Sequence, residues 1–336
     1  MSLLKSYLQD RTQCVFLNEN YSTKGVVKCG VPQGSVLGPL LFSIFINDLP
    51  LHILNTKIVC DLFADDNSIH SRETNVESIQ SSLQEGLNDV LKWCDQNRMV
   101  VHPWKTKSMV LASRQKHQLK PLILNLTLGT NIIELVREHK DLGITIDEEL
   151  KWQPHTDNIC KQVARNLFLL GQLRKYVDID CRKLFFNAHL MKHINYASTA
   201  WSNASEVHFK KLNSLHRRAE KLILPDHSLS TTAKLKKLDI LPLRGQFVYN
   251  TAVLMFKVHM GWAPHYVCDH LNRAPVRYES KNYVLPRTRI GLYEFSGFSG
   301  FAFSGSSVWN SLPPKMKTYK CVRGFKVNLR KILSKK

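Results

Sequence analysis

Asp65 and Asp66 are adjacent carboxylates between two short apolar runs, one from Ile58-Val59-Cys60 to Phe63 and one ending at Ile69. That pattern predicts a β-hairpin over residues 57–70 with the acid pair in its tight turn. Like charges this close repel unless a cation sits between them. A divalent metal is the natural cation, since Mg²⁺ is usually held by one or two carboxylates together with substrate phosphates. A solvated turn is the plainer reading of the pair taken alone.

A second segment upstream changes that balance. Gly30-Val31-Pro32-Gln33-Gly34-Ser35-Val36-Leu37-Gly38-Pro39 precedes the hairpin by roughly one helix. Its glycines allow close approach of a backbone to another molecule. Ser35 suits an N-cap and Pro39 the first turn of the helix that follows. That helix would present Leu41, Phe42, Phe45 and Ile46 before ending at Asp48. With Gln33, Gly34 and Ser35 at its entrance, it suits a flat ligand accepted whatever its side groups. The plain alternative is a Gly-rich loop capping a core helix.

The elements around these segments are mixed. Thr74-Asn75-Val76-Glu77 has capping-box spacing, and Val76, Ile79, Leu83, Leu87, Val90, Leu91 and Cys94 then recur at helical steps. Short strands are expected at Met109–Leu111, Leu122–Leu128, Ile132–Ile133 and Leu142–Ile146, with a turn at Gly129-Thr130-Asn131. Local antiparallel pairing with interspersed helices indicates an α+β fold. From residue 151 the pattern turns helical: Ile159, Val163, Leu167, Leu170 and Leu173 share a face, and helices follow over Arg182–Ala200 and Ser205–Leu224. From 261 Gly, Pro and Ser become frequent, which predicts a loosely ordered module ending in a basic amphipathic tail. The expected domains are thus 1–150, 151–260 and 261–336.

Residues 30–42 and the Phe63-Ala64-Asp65-Asp66 turn together resemble motifs B and C of reverse transcriptases, in their non-LTR (LINE-type, jockey-like) retrotransposon branch. Leu4 to Gln13 looks like the stretch before motif B, and Ile46-Asn47-Asp48-Leu49-Pro50 like the end of its helix. Trp93 to Thr106 looks like motif D with Lys105 in its lysine position, although His102 and Pro103 depart from the pattern there. His139 to Asp147 looks like primer-grip motif E, and Val308-Trp309-Asn310-Ser311-Leu312-Pro313 with Phe325 to Leu329 like the end of the same reading frames.

The resemblance implies a partial polymerase palm over 1–150, a thumb-like helical region over 151–260 and a basic C-terminal module. It implies Asp65 and Asp66 as metal ligands and catalytic carboxylates, and Lys105 as the group protonating pyrophosphate. Gln33, Gly34 and Ser35 would shape the template–nucleotide pocket; Leu142 and Gly143 would meet the primer end. The implied partners are an RNA template, a DNA primer and deoxynucleoside triphosphates, with Mg²⁺ or Mn²⁺ as cofactor. Such polymerases use two ions about 3.5–4 Å apart. The family's other aspartate, in motif A, and the fingers are expected on sequence before Leu4. Within the chain, Asp10 reads as a turn residue, Asp48 ends a helix, and Asp61 lies roughly 13 Å along the strand from Asp65. The two-ion site is therefore expected to be half present and polymerase activity to be little or none. Two rivals stand beside this: a non-catalytic basic nucleic-acid-binding protein derived from such an element, and a chain whose unpaired hairpin edge prevents a folded product.

Charge separates the parts. Residues 1–150 hold 15 Lys/Arg against 17 Asp/Glu, whereas residues 151–336 hold 32 against 10, so the whole excess of the net +20 lies in the second part. A polyanion partner follows, bound mainly through phosphate neutralisation. Lys161, Arg165, Arg174, Lys175, Lys210, Lys211, Arg217, Arg218 and Lys221 are the candidate backbone contacts. No run of 18 apolar residues is present, so no membrane span is expected. Lys5 directly after Leu3-Leu4 argues against a secretory leader. Eight scattered cysteines without a Cys-x-x-Cys pair point to reduced thiols inside the cell, the nucleus ahead of the cytoplasm. The spacings His189-x₃-His193 and His265-x₂-Cys268-x-His270 suggest metal ligands but lack the four a structural zinc needs.

Overall fold

The alternation over residues 58–71 produces a two-stranded antiparallel hairpin, β1 (Ile58–Phe63) and β2 (Asp66–Ser71). Its register pairs Ile58 with Ser71 at the base and Phe63 with Asp66 at the tip. Ile58, Cys60, Leu62 and Ile69 turn inward, while Val59, Asp61 and Phe63 face water. The computed structural model describes residues 2–28, 30–32, 34–119, 122–269, 271, 282–286 and 297–334. Contacts divide it into two compact units, Met1–Ser108 with Leu122–Leu135 and Met109–Pro121 with Val136–Lys336.

In the first unit the hairpin lies against helix α2 (Val76–Gln96), and helix α1 (Gly38–Ile46) packs on the same core. The capping residue of α2 is Asn75, not Thr74: the Asn75 side chain accepts the Ser78 N–H at 2.7 Å. Gly86 and Trp93 join the expected apolar stripe. A helix-interior glycine costs about 1 kcal/mol relative to alanine. At Gly86 the reason is Ile58, whose Cγ1 would lie 3.4 Å from an added Cβ. Trp93 is 1% exposed at the centre of a core of Ile46, Leu49, Val90 and Cys94, against which Phe42, Leu62 and Ile69 pack. Its indole N–H donates to Asp48 Oδ1 at 3.1 Å, which satisfies the one polar atom that burial would strand.

Leu122–Leu128 forms strand only at Thr127–Leu128. The reason is visible in α2. Gln80 Oε1 accepts the Asn125 N–H and Gln84 both accepts from and donates to the Thr127 backbone, so side chains replace a strand partner. Similarly, Met109–Leu111 is not a strand; the extended pairing falls on Lys107–Ser108, parallel to Glu134–Leu135.

The second unit contains hairpin β3 (Glu138–Asp141) and β4 (Ile144–Asp147). Asp147 then organises the exit, its carboxylate accepting the N–H groups of Glu149, Lys151 and Trp152 at 3.1, 3.0 and 2.7 Å. Helix α3 (Gln153–Leu173) follows and buries Ile159, Val163, Leu167 and Leu170. These meet Phe186, Leu190, Ile194 and Trp201, and Leu212, Ala219 and Ile223 of α4 (Glu206–Ile223), while Ile144 and Ile146 of the hairpin pack on the same core. The single helix expected over Arg182–Ala200 is broken. A π-helical turn spans Phe186–Met191, and the chain leaves helical geometry at Tyr196 before Ala197 takes φ +46°. The Trp201 indole holds the Tyr196 carbonyl there at 2.9 Å.

The loosely ordered module expected from 261 is packed where it is described. Helices α5 (Leu243–His259), α6 (Gly297–Asn310) and α7 (Val322–Leu333) enclose Met255, Phe256, Trp309 and Phe325. The signal missed was spacing of large apolar residues at Phe301, Trp309, Phe325 and Leu329, hidden among glycines and serines. Asn310 fastens the connecting segment through two hydrogen bonds to the Tyr283 backbone. Among the described residues no helix is long and apolar enough to cross a membrane.

The base of the first hairpin rests on Glu73, whose carboxylate accepts from the Ser82 hydroxyl at 2.6 Å and from Lys57 at 3.0 Å. These bonds, Ser82 foremost, hold its pKa below the usual range. A lowered pKa means stabilisation present above the unfolded glutamate value of about 4.3 and lost as pH falls through the folded value. The protection of β1 and β2 amides, measured relative to their intrinsic exchange rates, should accordingly fall as the native chain is acidified below the ordinary glutamate range. In Glu73→Gln that pH step should be absent; an identical acid response in both proteins would remove Glu73 from the anchor.

Candidate metal and nucleic-acid site

Asp65 sits at the apex of the β1–β2 turn and Asp66 is the first residue of β2, both exposed. Neither carboxylate forms an ion pair among the described residues. Two-residue hairpin loops favour positive φ at the first central residue, a place for glycine, yet Ala64 occupies it at φ +54°. The turn therefore stores strain directly beside the acid pair, and such strain clusters at functional sites. Along the strand Asp61 is remote from Asp65, but the register makes it a diagonal neighbour of Asp66 on the exposed face. Strand counting alone overlooks that relation. The Asp61 carboxylate is directed to His70 Nδ1 at 3.6 Å. On the inner face, burial and then the Asp61 charge push the Cys60 thiol up to about 11, so it stays protonated and donates to Asn67 Oδ1.

The segment ahead of α1 is built as a tight cap. Ser35 Oγ donates to the Pro32 carbonyl at 2.7 Å and accepts the Gly38 N–H at 3.0 Å. The geometric N-cap is Leu37, so Ser35 caps from two residues further out, and Pro39 falls in the first turn as expected. A Cβ at Gly38 would lie 2.9 Å from Ser35 Oγ and 3.0 Å from the Pro32 carbonyl, so any larger residue would force the cap to shift. Gly34 has φ +74° and is exposed. Gln33 lies outside the described residues. The core around Trp93 joins this helix to the acid-bearing hairpin, because Phe42 and Ile46 of α1 and Leu62 and Ile69 of the hairpin all pack there. Lys105 is exposed in a turn closed by its N–H on the His102 carbonyl.

Leu142 and Gly143, expected within a strand, form the two-residue turn between β3 and β4, with φ of +44° and +84°. Two positive φ values in succession make this a type I′ turn, for which glycine is well suited. Tyr196 holds it from outside. The phenol donates to the Leu142 carbonyl at 2.6 Å, and its ring lies 3.4 Å from where a Gly143 Cβ would be. Sequence reasoning missed Tyr196, since the helix break that presents it leaves no periodic mark.

All nine basic candidates are exposed: Lys161 and Arg165 on α3, Arg174 and Lys175 just after it, and Lys210, Lys211, Arg217, Arg218 and Lys221 on α4. Lys211 pairs with Asp157 at 3.2 Å. Helices α3 and α4 share one core, so their polar faces flank it together. Arg182 and Arg244 play a different part. Arg182 donates to the carbonyls of Arg174, Val177 and Ile223, closing helix C-termini, and Arg244 pairs with Glu206 over the Phe209 ring. Among the described residues no group of three or more His, Cys, Asp or Glu is placed to hold a metal. His193 has its pKa pushed down, chiefly by burial; His270 lies outside the described residues.

Tyr196→Phe removes one hydrogen bond at a half-exposed site and should cost about 0.5–1 kcal/mol in urea unfolding. It should also speed amide exchange selectively at Leu142–Ile144. Exchange unchanged there, with Gly143→Ala equally silent, would show that the turn does not depend on this clamp.

Residues 1–146 match the family model described as reverse transcriptase (RNA-dependent DNA polymerase). The chain is 30% identical over 230 residues to the probable RNA-directed DNA polymerase from transposon BS of Drosophila melanogaster, an alignment covering 66% of this chain and 25% of that protein. It is 27% identical over 225 residues to the RNA-directed DNA polymerase from mobile element jockey of the same organism, covering 64% and 24%. A retrovirus-related Pol polyprotein from type-1 retrotransposable element R1 2 of Nasonia vitripennis is 22% identical over 177 residues, covering 51% and 43%. The chain spans about a quarter of the length of the first two relatives. Its first 146 residues belong to the reverse transcriptase family, and the chain that carries them to the non-LTR retrotransposon branch.

Proposed function

We propose that this chain is part of an RNA-directed DNA polymerase, with Asp65 as the shared metal ligand and Asp66 as the second carboxylate. One observation carries the reading: an exposed, unpaired acid pair at a strained tip, on a hairpin rooted in the same core as the helix behind Ser35 and Gly38. Hard carboxylate oxygens open to water fit Mg²⁺ or Mn²⁺, ions that retain several waters and take one or two protein carboxylates. The chemistry such an ion pair supplies is stabilisation of the attacking and leaving oxygens in an in-line displacement. Asp61, the diagonal neighbour of Asp66, is directed to His70, and among the described residues no third His, Cys, Asp or Glu is placed to hold a metal with the pair.

The remaining roles belong to side chains of this chain. The small residues Gly34 and Ser35, with Gln33, let template base and incoming nucleotide lie flat against the start of α1. Lys105 delivers a proton to the departing pyrophosphate from an exposed turn. The Leu142–Gly143 turn, its carbonyl engaged by Tyr196, offers a rigid ledge to the primer end. Thumb-like helices α3 and α4 grip the duplex through exposed lysines and arginines, worth about 0.9 of salt slope per phosphate neutralised.

Primer extension on an RNA template with Mg²⁺ or Mn²⁺ should yield little or no product from these 336 residues alone, because among the described residues the acid pair stands without a third metal ligand to share the transition-state charge. Product abolished by Asp65→Asn would place a complete site within the chain and overturn the half-site assignment. The non-catalytic reading is favoured by the nine exposed bases. Under it, as under ours, duplex affinity survives Asp65→Ala; Mn²⁺ binding measured by electron paramagnetic resonance separates the two. Loss of a weak Mn²⁺ site in Asp65→Asn supports the polymerase reading, and no Mn²⁺ binding by the native chain defeats it.

A further inference from the structure

From residue 297 to 334 the chain holds seven Lys/Arg and not one Asp or Glu. The fold uses two of the seven internally. Lys317 is buried and donates to Asn282 Oδ1 and the Asn310 carbonyl, and Arg330 pairs with Asp239. The other five, Lys315, Lys320, Arg323, Lys326 and Lys331, are exposed. On α7 the division is by face: Phe325 and Leu329 are fully buried with Val322 and Ile332 beside them, while Arg323, Lys326 and Lys331 lie on the opposite side.

We infer that α7 and the turn before it form a second phosphate-backbone surface for duplex nucleic acid, separate from α3 and α4; the inference rests on the nucleic-acid partner proposed above. Three features choose the partner. A basic amphipathic helix binds a membrane by inserting its apolar face, but here that face is already spent on the core of α5 and α6. No aromatic ring is exposed on the basic face, so single-stranded bases find no stacking platform; Tyr319 packs against Gly324 instead. From Arg323 to Lys331 the helix spans about 12 Å, a length over which a duplex carries about seven charges. The local field also reads on a neighbour. The exposed Cys321 thiol has its pKa lowered by the N–H groups of Gly324 and Arg323 and by the Arg323 charge.

The experiment uses the full chain and a fluorescent 20-base-pair DNA duplex of random sequence. Lys320→Gln, Arg323→Gln and Lys326→Gln together should lower the slope of log affinity against log salt by about 2.7. Bound duplex should slow iodoacetamide alkylation of Cys321 several-fold in the native chain and not in the triple variant. A slope unchanged in the triple variant, or Cys321 equally reactive with and without duplex, overturns the inference. Protection by phosphatidylserine vesicles but not by duplex overturns it in favour of a lipid surface. Should the substitutions disturb folding, Lys315→Gln with Lys331→Gln, two residues outside the cap of α7, is expected to lower the slope by about 1.8. A parallel variant, Lys161→Gln, Arg165→Gln, Lys210→Gln and Arg218→Gln, isolates the other surface. If it leaves binding intact while the α7 variant does not, the thumb-like grip fails and this surface stands; the reverse result removes α7 alone.

Discussion

The placement of the acid pair depends on one apolar contact set, the packing of hairpin and helix around Trp93. Two adjacent carboxylates cannot be held by burial, because desolvating them would cost far more than their neighbours return. The chain solves this by burying the opposite face. Leu62 and Ile69 go into the core, the indole N–H is answered by Asp48, and the acids are left in water at the far end of a rigid ribbon. A hairpin alone is marginal in water, so the helix beneath it supplies the rigidity that the two strands lack.

Positive charge obeys a comparable division of labour. Some basic residues serve the fold itself: Arg182 ties off helix ends, Arg244 lies over Phe209, and Arg330 reaches Asp239. Others stand in solvent without such duties. Composition reports only the total, whereas the hydrogen-bond partners reveal which bases remain available to an outside polyanion. The count of basic residues in the second part therefore exceeds the number left for an outside polyanion.

Much of this was legible in the sequence, for physical reasons that differ by element. Period-two alternation and a turn of small and acidic residues defined the first hairpin, and three- and four-residue spacing defined α2 and α3. Reading failed where the backbone is satisfied by side chains. Gln80 and Gln84 pair with residues 125 and 127, Asp147 gathers three N–H groups, and Asn75 displaces Thr74 as a cap. Such bonds leave no hydrophobic period. The Leu142–Gly143 turn was hidden because Leu142 is apolar and resembles strand, although it adopts a left-handed conformation. In the C-terminal segment, glycine and serine obscured a core built on a few large aromatic residues.

Gly86 has a reach that its position does not advertise. Ile58, at the root of the ribbon, rests where a side chain at 86 would begin, and the ribbon runs on for about 17 Å before the carboxylates. A lever of that length converts a small lift at its fulcrum into a comparable or larger swing at its end. Tolerance for metal-handling groups is about 0.5 Å. An alanine there, a favourable substitution by helix propensity alone, would thus displace the carboxylates before it was felt in melting temperature.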